Sequence, residues 1–135
     1  MLFPCEVVVK KILPALKAYI VKDLHENYKM KQQEIAKILG ITQPSVSLYL
    51  SGERGSFDDI FQTDDAKDQI DKLNGISQNI ANERISEQSL MEEICTICTN
   101  LRREGILCNL HSTLDKSKEH SCGFCDMHFK TTLKE

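Results

Sequence analysis

One stretch of this chain, MKQQEIAKILGITQPSVSLYLSGERG, contains two short helical patterns separated by a glycine. Gly40 ends the first pattern where the chain must turn sharply, and a residue at positive φ is needed there. Thr42 is suited to cap the second helix, and Pro44 lies in its first turn, where a missing N–H costs nothing. The small Ala36 permits close approach of the two helices, which share an apolar set of Ile35, Leu39, Ile41, Val46 and Tyr49. The stretch therefore predicts a helix-turn-helix over about residues 31–51.

The outward side of the second helix is short, polar and mostly uncharged, with Gln43, Ser45, Ser47 and Leu48. Glutamine can bond adenine through two hydrogen bonds, serine can bond several base edges, and leucine can contact a thymine methyl group. Neighbouring side chains, including Lys37, are placed to bind phosphates. The predicted DNA-binding residues are Lys31, Gln33, Thr42, Gln43, Pro44, Ser45, Ser47, Leu48 and Arg54. Two alternatives are an ordinary helical hairpin and a motif that contacts protein.

Charge is distributed unevenly along the chain. Residues 1–55 carry eight Lys or Arg against five Asp or Glu, and residues 56–135 carry nine against fifteen. The net charge of −3 therefore combines a basic front with an acidic back. Because only the front can replace the counterions condensed on phosphates, we expect it to face a polyanion. Chance asymmetry in a short chain is the competing explanation.

The opening PCEVVVKKILPALKAYI, followed by QQEIAKILGITQPSVSLYLSGERG, resembles the amino-terminal domain of small archaeal predicted transcriptional regulators. The helix-turn-helix of that family is similar to the phage-repressor/Cro (XRE-type) class, and its members carry a cysteine-rich carboxy-terminal segment. The resemblance covers about residues 1–55. It implies a homodimeric transcription factor that binds double-stranded promoter or operator DNA.

The segment before the motif predicts a helix with a break. Its apolar residues follow one helical face, at Val8, Ile12, Ala15 or Leu16, Tyr19, Ile20 and Leu24. Pro14 falls inside this pattern, where it removes a backbone hydrogen bond. A kink or split is therefore predicted near residues 10–14.

Two further helical patterns follow the motif. An acidic stretch at 63–86 has a narrow seam of Ala66, Ile70, Leu73, Ser77, Ile80 and Arg84, typical of a face packed on the first domain or of a dimer-forming helix. The next helix is predicted to begin after Ser86, to end before Gly105 and to place Leu90, Ile94, Ile97 and Leu101 on one side. The predicted fold is all-α. A helix-turn-helix domain (1–56) precedes an acidic connector or dimerisation helix (57–86) and a cysteine-rich metal module (87–135).

Five cysteines are concentrated in the last part of the chain, at Cys95, Cys98, Cys108, Cys122 and Cys125. Two Cys-x-x-Cys pairs separated by 23 residues can supply the four thiolates of a tetrahedral zinc site, which is the favoured interpretation. A zinc site built from these two pairs does not use Cys108 or His111, and His111 is an alternative ligand. A 4Fe–4S cluster held by Cys95, Cys98, Cys108 and one late cysteine is the second possibility, and disulfides or a thiol switch are the third. Cys5 stands apart and is predicted to be a small buried residue.

Composition excludes several classes. No stretch approaches the roughly 20 apolar residues of a membrane span, and the amino terminus lacks a charged region typical of secretion signals, so we expect a cytoplasmic protein that uses no membrane. No phosphate-binding glycine loop or nucleophile set is recognisable, so neither an enzyme nor a small-molecule substrate is inferred. The rival to a DNA-binding regulator is a protein-interaction or antitoxin-like adaptor, in which the acidic helix at 63–86 binds a protein.

Overall fold

The structure, a computed structural model, describes residues 3–55 and 67–103, and every regular element in these ranges is helical. The chain forms α1 (Pro4–Val7), a π-helical turn (Val8–Ile12), α2 (Leu13–Glu26), α3 (Gln32–Leu39), α4 (Gln43–Ser51), α5 (Lys67–Ala81) and α6 (Glu87–Arg103). The all-α prediction is confirmed for this part of the chain. Residues 56–66 and 104–135, which include the end of the cysteine-rich segment, lie outside the described residues.

The disturbance predicted around Pro14 is present, but the chain stays helical through it. In the π-helical turn, the backbone N–H of Leu13 donates to the carbonyl of Val8 instead of to that of Val9. Pro14 follows immediately and has no N–H, and its ring would crowd the carbonyl four residues earlier in a regular α-helix. The wider π turn accommodates the proline. The predicted break is therefore replaced by a local widening, and α2 continues to Glu26.

The core is built around α2, which packs against α3, α4 and α5, while α6 packs against α5. Its largest fully buried side chains come from these helices and from the π-helical turn, and include Ile12, Leu16, Ile20, Leu24, Ile35, Leu73, Ile76, Ile97 and Leu101. On α5 the buried residues are Gln69, Leu73, Ile76, Ser77 and Ile80. The described part of the predicted seam therefore packs on α2, as expected from one of the two interpretations of the acidic stretch, while Ala66 lies outside the described residues. Arg84, predicted at the end of that seam, is exposed, since α5 ends at Ala81.

A side-chain hydrogen bond joins α5 to α6. The amide nitrogen of Asn100 donates to Oε1 of the buried Gln69 at 3.2 Å. Ser86 caps α6 as predicted, because its hydroxyl accepts from the backbone N–H of Ser89 at 3.1 Å. None of the described helices is both long and apolar enough to cross a membrane.

The prediction that Cys5 is buried is wrong. The short helix α1 directs Val7 into the core, and Cys5 lies on the exposed side. Its sulfur lies 3.8 Å from Nη2 of Arg102, near the end of α6. Cys5 on α1 therefore lies beside the carboxy-terminal half of α6.

Candidate nucleic-acid interface

Helices α3 and α4 are joined by a tight turn at residues 40–42, and its geometry matches the local predictions. Gly40 has φ 66° and ψ 31°, a left-handed conformation that a residue with a side chain adopts only at a cost. The N–H of Ile41 donates to the carbonyl of Ala36 at 3.0 Å and closes the end of α3. Thr42 is the N-cap of α4, and its hydroxyl oxygen accepts from the N–H of Ser45 at 3.2 Å.

The core between these two helices holds the predicted apolar residues. Ile35, Val46 and Tyr49 are buried, Ala36 is 8% exposed, and Leu39 and Ile41 are half-buried against the same core. With these side chains inward, the opposite side of α4 is left to solvent. All nine predicted DNA-binding residues are exposed or half-buried. They are Lys31, Gln33, Thr42, Gln43, Pro44, Ser45, Ser47, Leu48 and Arg54.

The first residue of α4 is hydrogen-bonded to the first residue of α3. Nε2 of Gln43 donates to Oε1 of Gln32 at 2.6 Å, on the exposed side of the unit. The turn brings the amino-terminal ends of the two helices together, although these residues are eleven positions apart in the sequence. Gln33 is among the predicted DNA-binding residues, whereas its neighbour Gln32 is not. The available signal was the position of a glutamine at the start of each of two helices that the turn folds against each other.

The side chain of Arg54 is exposed and folds back along α4. Its Nη1 donates to the hydroxyl oxygen of Ser45 at 3.2 Å, and its guanidinium carbon lies 5.8 Å from the ring centroid of Tyr49. The hydroxyl of Thr42 also donates to the Ser45 oxygen, at 2.9 Å. The guanidinium and the Thr42 cap therefore hold the side chain of Ser45 from two directions. Arg54 therefore lies beside the first turn of α4, where Ser45 and the Thr42 cap are found.

Gly55 fixes the chain after α4 against α2. Its φ is 81°, and a Cβ atom built on it would lie 2.4 Å from the carbonyl oxygen of Pro14 and 2.9 Å from Cβ of Ala18. Only glycine fits so close to the neighbouring backbone. This contact, together with the packing of α4 on α2, sets the direction in which α4 presents its exposed side.

Two of the five predicted metal ligands lie in the described part of the chain. Cys95 and Cys98 are free thiols on α6, the first exposed and the second half-buried. Burial, followed by the proximity of Cys95, raises the pKa of the Cys98 thiol to about 11, and the nearby Arg102 acts in the opposite direction. Within residues 3–55 and 67–103 there is no group of three or more His, Cys, Asp or Glu side chains placed to hold a metal ion. Cys108, His111, Cys122 and Cys125 lie outside the described residues.

Comparisons of the chain with protein families, with curated proteins and with solved structures found no match.

Proposed function

We propose that this protein is a sequence-specific DNA-binding transcriptional regulator, which acts by binding double-stranded DNA through α4 and not by catalysis. The observation that carries this proposal is the hydrogen bond between Gln43 and Gln32 on the exposed side of the α3–α4 unit. The amides of the half-buried Gln32 and the exposed Gln43 are bonded to each other at adjoining helix starts, and they form an oriented set of donors and acceptors. A solvated helix face has no need for such orientation.

The hydrogen bond between Gln43 and Gln32 leaves Gln43 with the donor and the acceptor that pairing with adenine requires. Nε2 of Gln43 has two hydrogens, and one of them is used by Gln32. The other hydrogen and Oε1 of Gln43 match N7 and the N6 amino group of adenine in the major groove. The amide nitrogen of Gln32 keeps two hydrogens, which suit a phosphate oxygen. In this proposal Gln43 contacts the base, and Gln32 holds Gln43 in position while it binds the backbone.

The distribution of charge around the α3–α4 unit also supports DNA as the partner. Lys31 at the start of α3, Lys37 near its end and Arg54 beyond α4 are all exposed. Cations around an uncharged central face are the distribution expected for a surface that binds phosphates at its edges and bases at its centre. The positive ends of both helix dipoles also lie at the side where Gln32 and Gln43 meet.

The experiment selects bound sequences from a random double-stranded DNA library with the full-length protein. The affinity of the selected duplex is then compared with that of an unrelated duplex. Gln43→Ala is expected to weaken specific binding by about 1–3 kcal/mol and to leave non-specific binding unchanged, because it removes one base contact. Gln32→Ala is expected to have a smaller effect in the same direction. Gln78→Ala, at an exposed position of α5, is the matched control.

Three results would contradict this function. If the selection gives no enriched sequence and duplex binding does not fall with salt, the protein does not bind DNA through charged contacts. If Gln43→Ala lowers specific and non-specific affinity equally, α4 is a scaffold and not the base-contacting helix. Equal losses with Gln43→Ala and Gln78→Ala would have the same meaning.

The cysteine-rich segment is proposed to hold one metal centre, with zinc favoured over a 4Fe–4S cluster. Cys95 and Cys98 lie three residues apart on one helix, and the proximity of Cys95 is one cause of the raised pKa of the Cys98 thiol. Zinc would need two further thiolates, for which Cys122 and Cys125 have the matching spacing. Metal analysis and the absorption spectrum of protein purified without oxygen separate the two centres, because only the cluster brings iron, sulfide and colour. Cys95→Ser should release the metal and Cys5→Ser should not, and retention in both variants would contradict the ligand set.

A further inference from the structure

The hydroxyl oxygen of Ser45, in the first turn of α4, accepts two hydrogen bonds from the protein. One comes from the hydroxyl of Thr42 at 2.9 Å and the other from Nη1 of Arg54 at 3.2 Å. A serine hydroxyl has two lone pairs that accept and one hydrogen that donates. Both lone pairs are therefore used inside the protein. Among the described residues, the hydrogen of this hydroxyl donates to no protein atom.

The two donors to Ser45 are themselves held in place. The oxygen of Thr42 is the N-cap of α4 and accepts from the backbone N–H of Ser45 at 3.2 Å, so its position is set by the start of the helix. The guanidinium of Arg54 lies 5.8 Å from the ring centroid of Tyr49, within the range of a cation–π contact. A guanidinium has no acceptor, so it cannot take the hydrogen of Ser45. The half-buried Ser45 therefore keeps one donor for another molecule.

The four bases differ in what they offer to such a donor in the major groove. Guanine presents two acceptors, N7 and O6, thymine presents O4, and adenine presents N7 beside an amino group. Cytosine presents only its N4 amino group, which is a donor. A cytosine that faces Ser45 would bring this amino group toward the hydrogens of Arg54 and Thr42. The amino group would lose its water without gaining a partner, which is unfavourable.

We propose that Arg54 and Thr42 make Ser45 a hydrogen-bond donor only, and that α4 thereby rejects cytosine at the base that Ser45 faces. This inference rests on the proposed function, because it concerns the specificity of the same DNA surface. It gives Arg54 a role in base selection although Arg54 itself touches no base. A guanidinium has five N–H donors, and the bond to Ser45 takes one of them, so Arg54 can still bind a phosphate.

Selection from a random double-stranded DNA library with the full-length protein tests this specificity. The position that faces Ser45 is identified as the one where Ser45→Ala changes the base preference. There we expect the wild-type protein to prefer guanine over cytosine at least about fivefold, the lower end of the range for a good base contact. Arg54→Met removes the bond to Ser45 and keeps an alkyl chain that can cover Tyr49. It frees one lone pair of Ser45, so it should admit cytosine and abolish most of this preference.

Lys31→Met is the matched control for Arg54→Met. It removes one exposed cation from the same α3–α4 unit, but Lys31 makes no contact with Ser45. Both variants should weaken binding to all sequences and lower its salt dependence, because each removes a phosphate contact. Only Arg54→Met should change the ratio of guanine to cytosine. A merely electrostatic role of Arg54 would leave that ratio as it is in the wild-type protein.

A second measurement uses the free protein without DNA. Nitrogen NMR relaxation should show that the Arg54 guanidinium is more ordered in the wild-type protein than in Ser45→Ala, because the serine oxygen holds it. Equal order in the two proteins would overturn the inference, because Ser45 would then have a lone pair open to cytosine. Thermal unfolding of each variant checks that the fold is kept.

The selection gives two further results that would overturn the inference. One is a wild-type protein that accepts cytosine at the position facing Ser45, and the other is an Arg54→Met variant that keeps the wild-type ratio. In both cases a sequence is still enriched, so the proposed function stands and only this inference fails. A library from which no sequence is enriched would overturn the proposed function and this inference together.

Discussion

Replacement of Gly55 by alanine tests how the chain after α4 is held. Gly55 has φ 81°, and an added Cβ would lie 2.4 Å from the carbonyl oxygen of Pro14. That oxygen belongs to the backbone, so it cannot move aside as the end of a flexible side chain would. Gly52 provides the matched comparison, because its φ is 84° and no atom lies within 4 Å of its added Cβ.

The two glycines separate backbone strain from steric conflict. An alanine in the left-handed region costs about 1–2 kcal/mol of folding free energy, and we expect this loss for Gly52→Ala. Gly55→Ala adds the conflict with Pro14 and Ala18, for which overpacking costs about 1–3 kcal/mol. The difference between the two variants should therefore be about 1–3 kcal/mol, with Gly55→Ala the less stable.

Urea denaturation followed by the helical circular dichroism signal measures both changes on the full-length protein. The unfolding midpoint of Gly55→Ala should fall further than that of Gly52→Ala, with a similar slope. The same variants should differ in DNA affinity at a temperature where both are folded, because the Gly55 contact sets the direction of α4. If the two variants lose equal stability, the close approach of Gly55 to Pro14 does not exist in solution.

Three other measurements address local features. Thr42→Ala should lower the free energy of unfolding by about 1 kcal/mol through loss of the N-cap, and an unchanged denaturation midpoint would show that the cap contributes nothing. In reduced, metal-free protein, iodoacetamide should alkylate Cys95 before Cys98, because the second thiol is half-buried and its pKa is raised to about 11; equal rates by mass spectrometry would contradict this. The folded chain holds the Cys98 proton more tightly than the unfolded chain does, so stability from this group is complete below its ordinary pKa of 9.0 and is lost as pH rises toward 11. Cys98→Ala should lose less unfolding free energy than the wild-type protein over that pH range. Identical pH profiles of the two proteins would show that the Cys98 thiol is not the cause of the loss.

The features predicted well are those that depend on neighbouring residues. Three residues each meet a backbone requirement within one helical turn, and all of them occupy the expected positions. They are Gly40, Thr42 and Pro44. The apolar seam of α5 was also recognisable, since period and burial agree over fifteen residues. Periodicity alone leaves open whether this seam packs on the first domain or forms a dimer, and the structure shows it packed on α2.

Features set by tertiary contacts were predicted less well. Cys5 was predicted to be buried from its residue type, but helix phase decides which side of α1 faces the core, and Val7 occupies that side. The effect of Pro14 was located correctly, yet packing of the core on both sides of it keeps the chain helical through a π turn. Local propensity is overridden where many buried contacts require a continuous helix.

Gln32 shows how a turn creates a hydrogen-bonded pair of side chains that linear spacing hides. Considered singly, it is a polar residue at the start of an amphipathic helix, where glutamine has no distinctive role. The turn at residues 40–42 brings the start of α3 to the start of α4, and an amide there becomes the orienting partner of Gln43. A base-contacting side chain that is already held in position loses less conformational entropy on binding than a free one. The geometry of the turn therefore contributes to the proposed DNA affinity through a residue that itself need not touch a base.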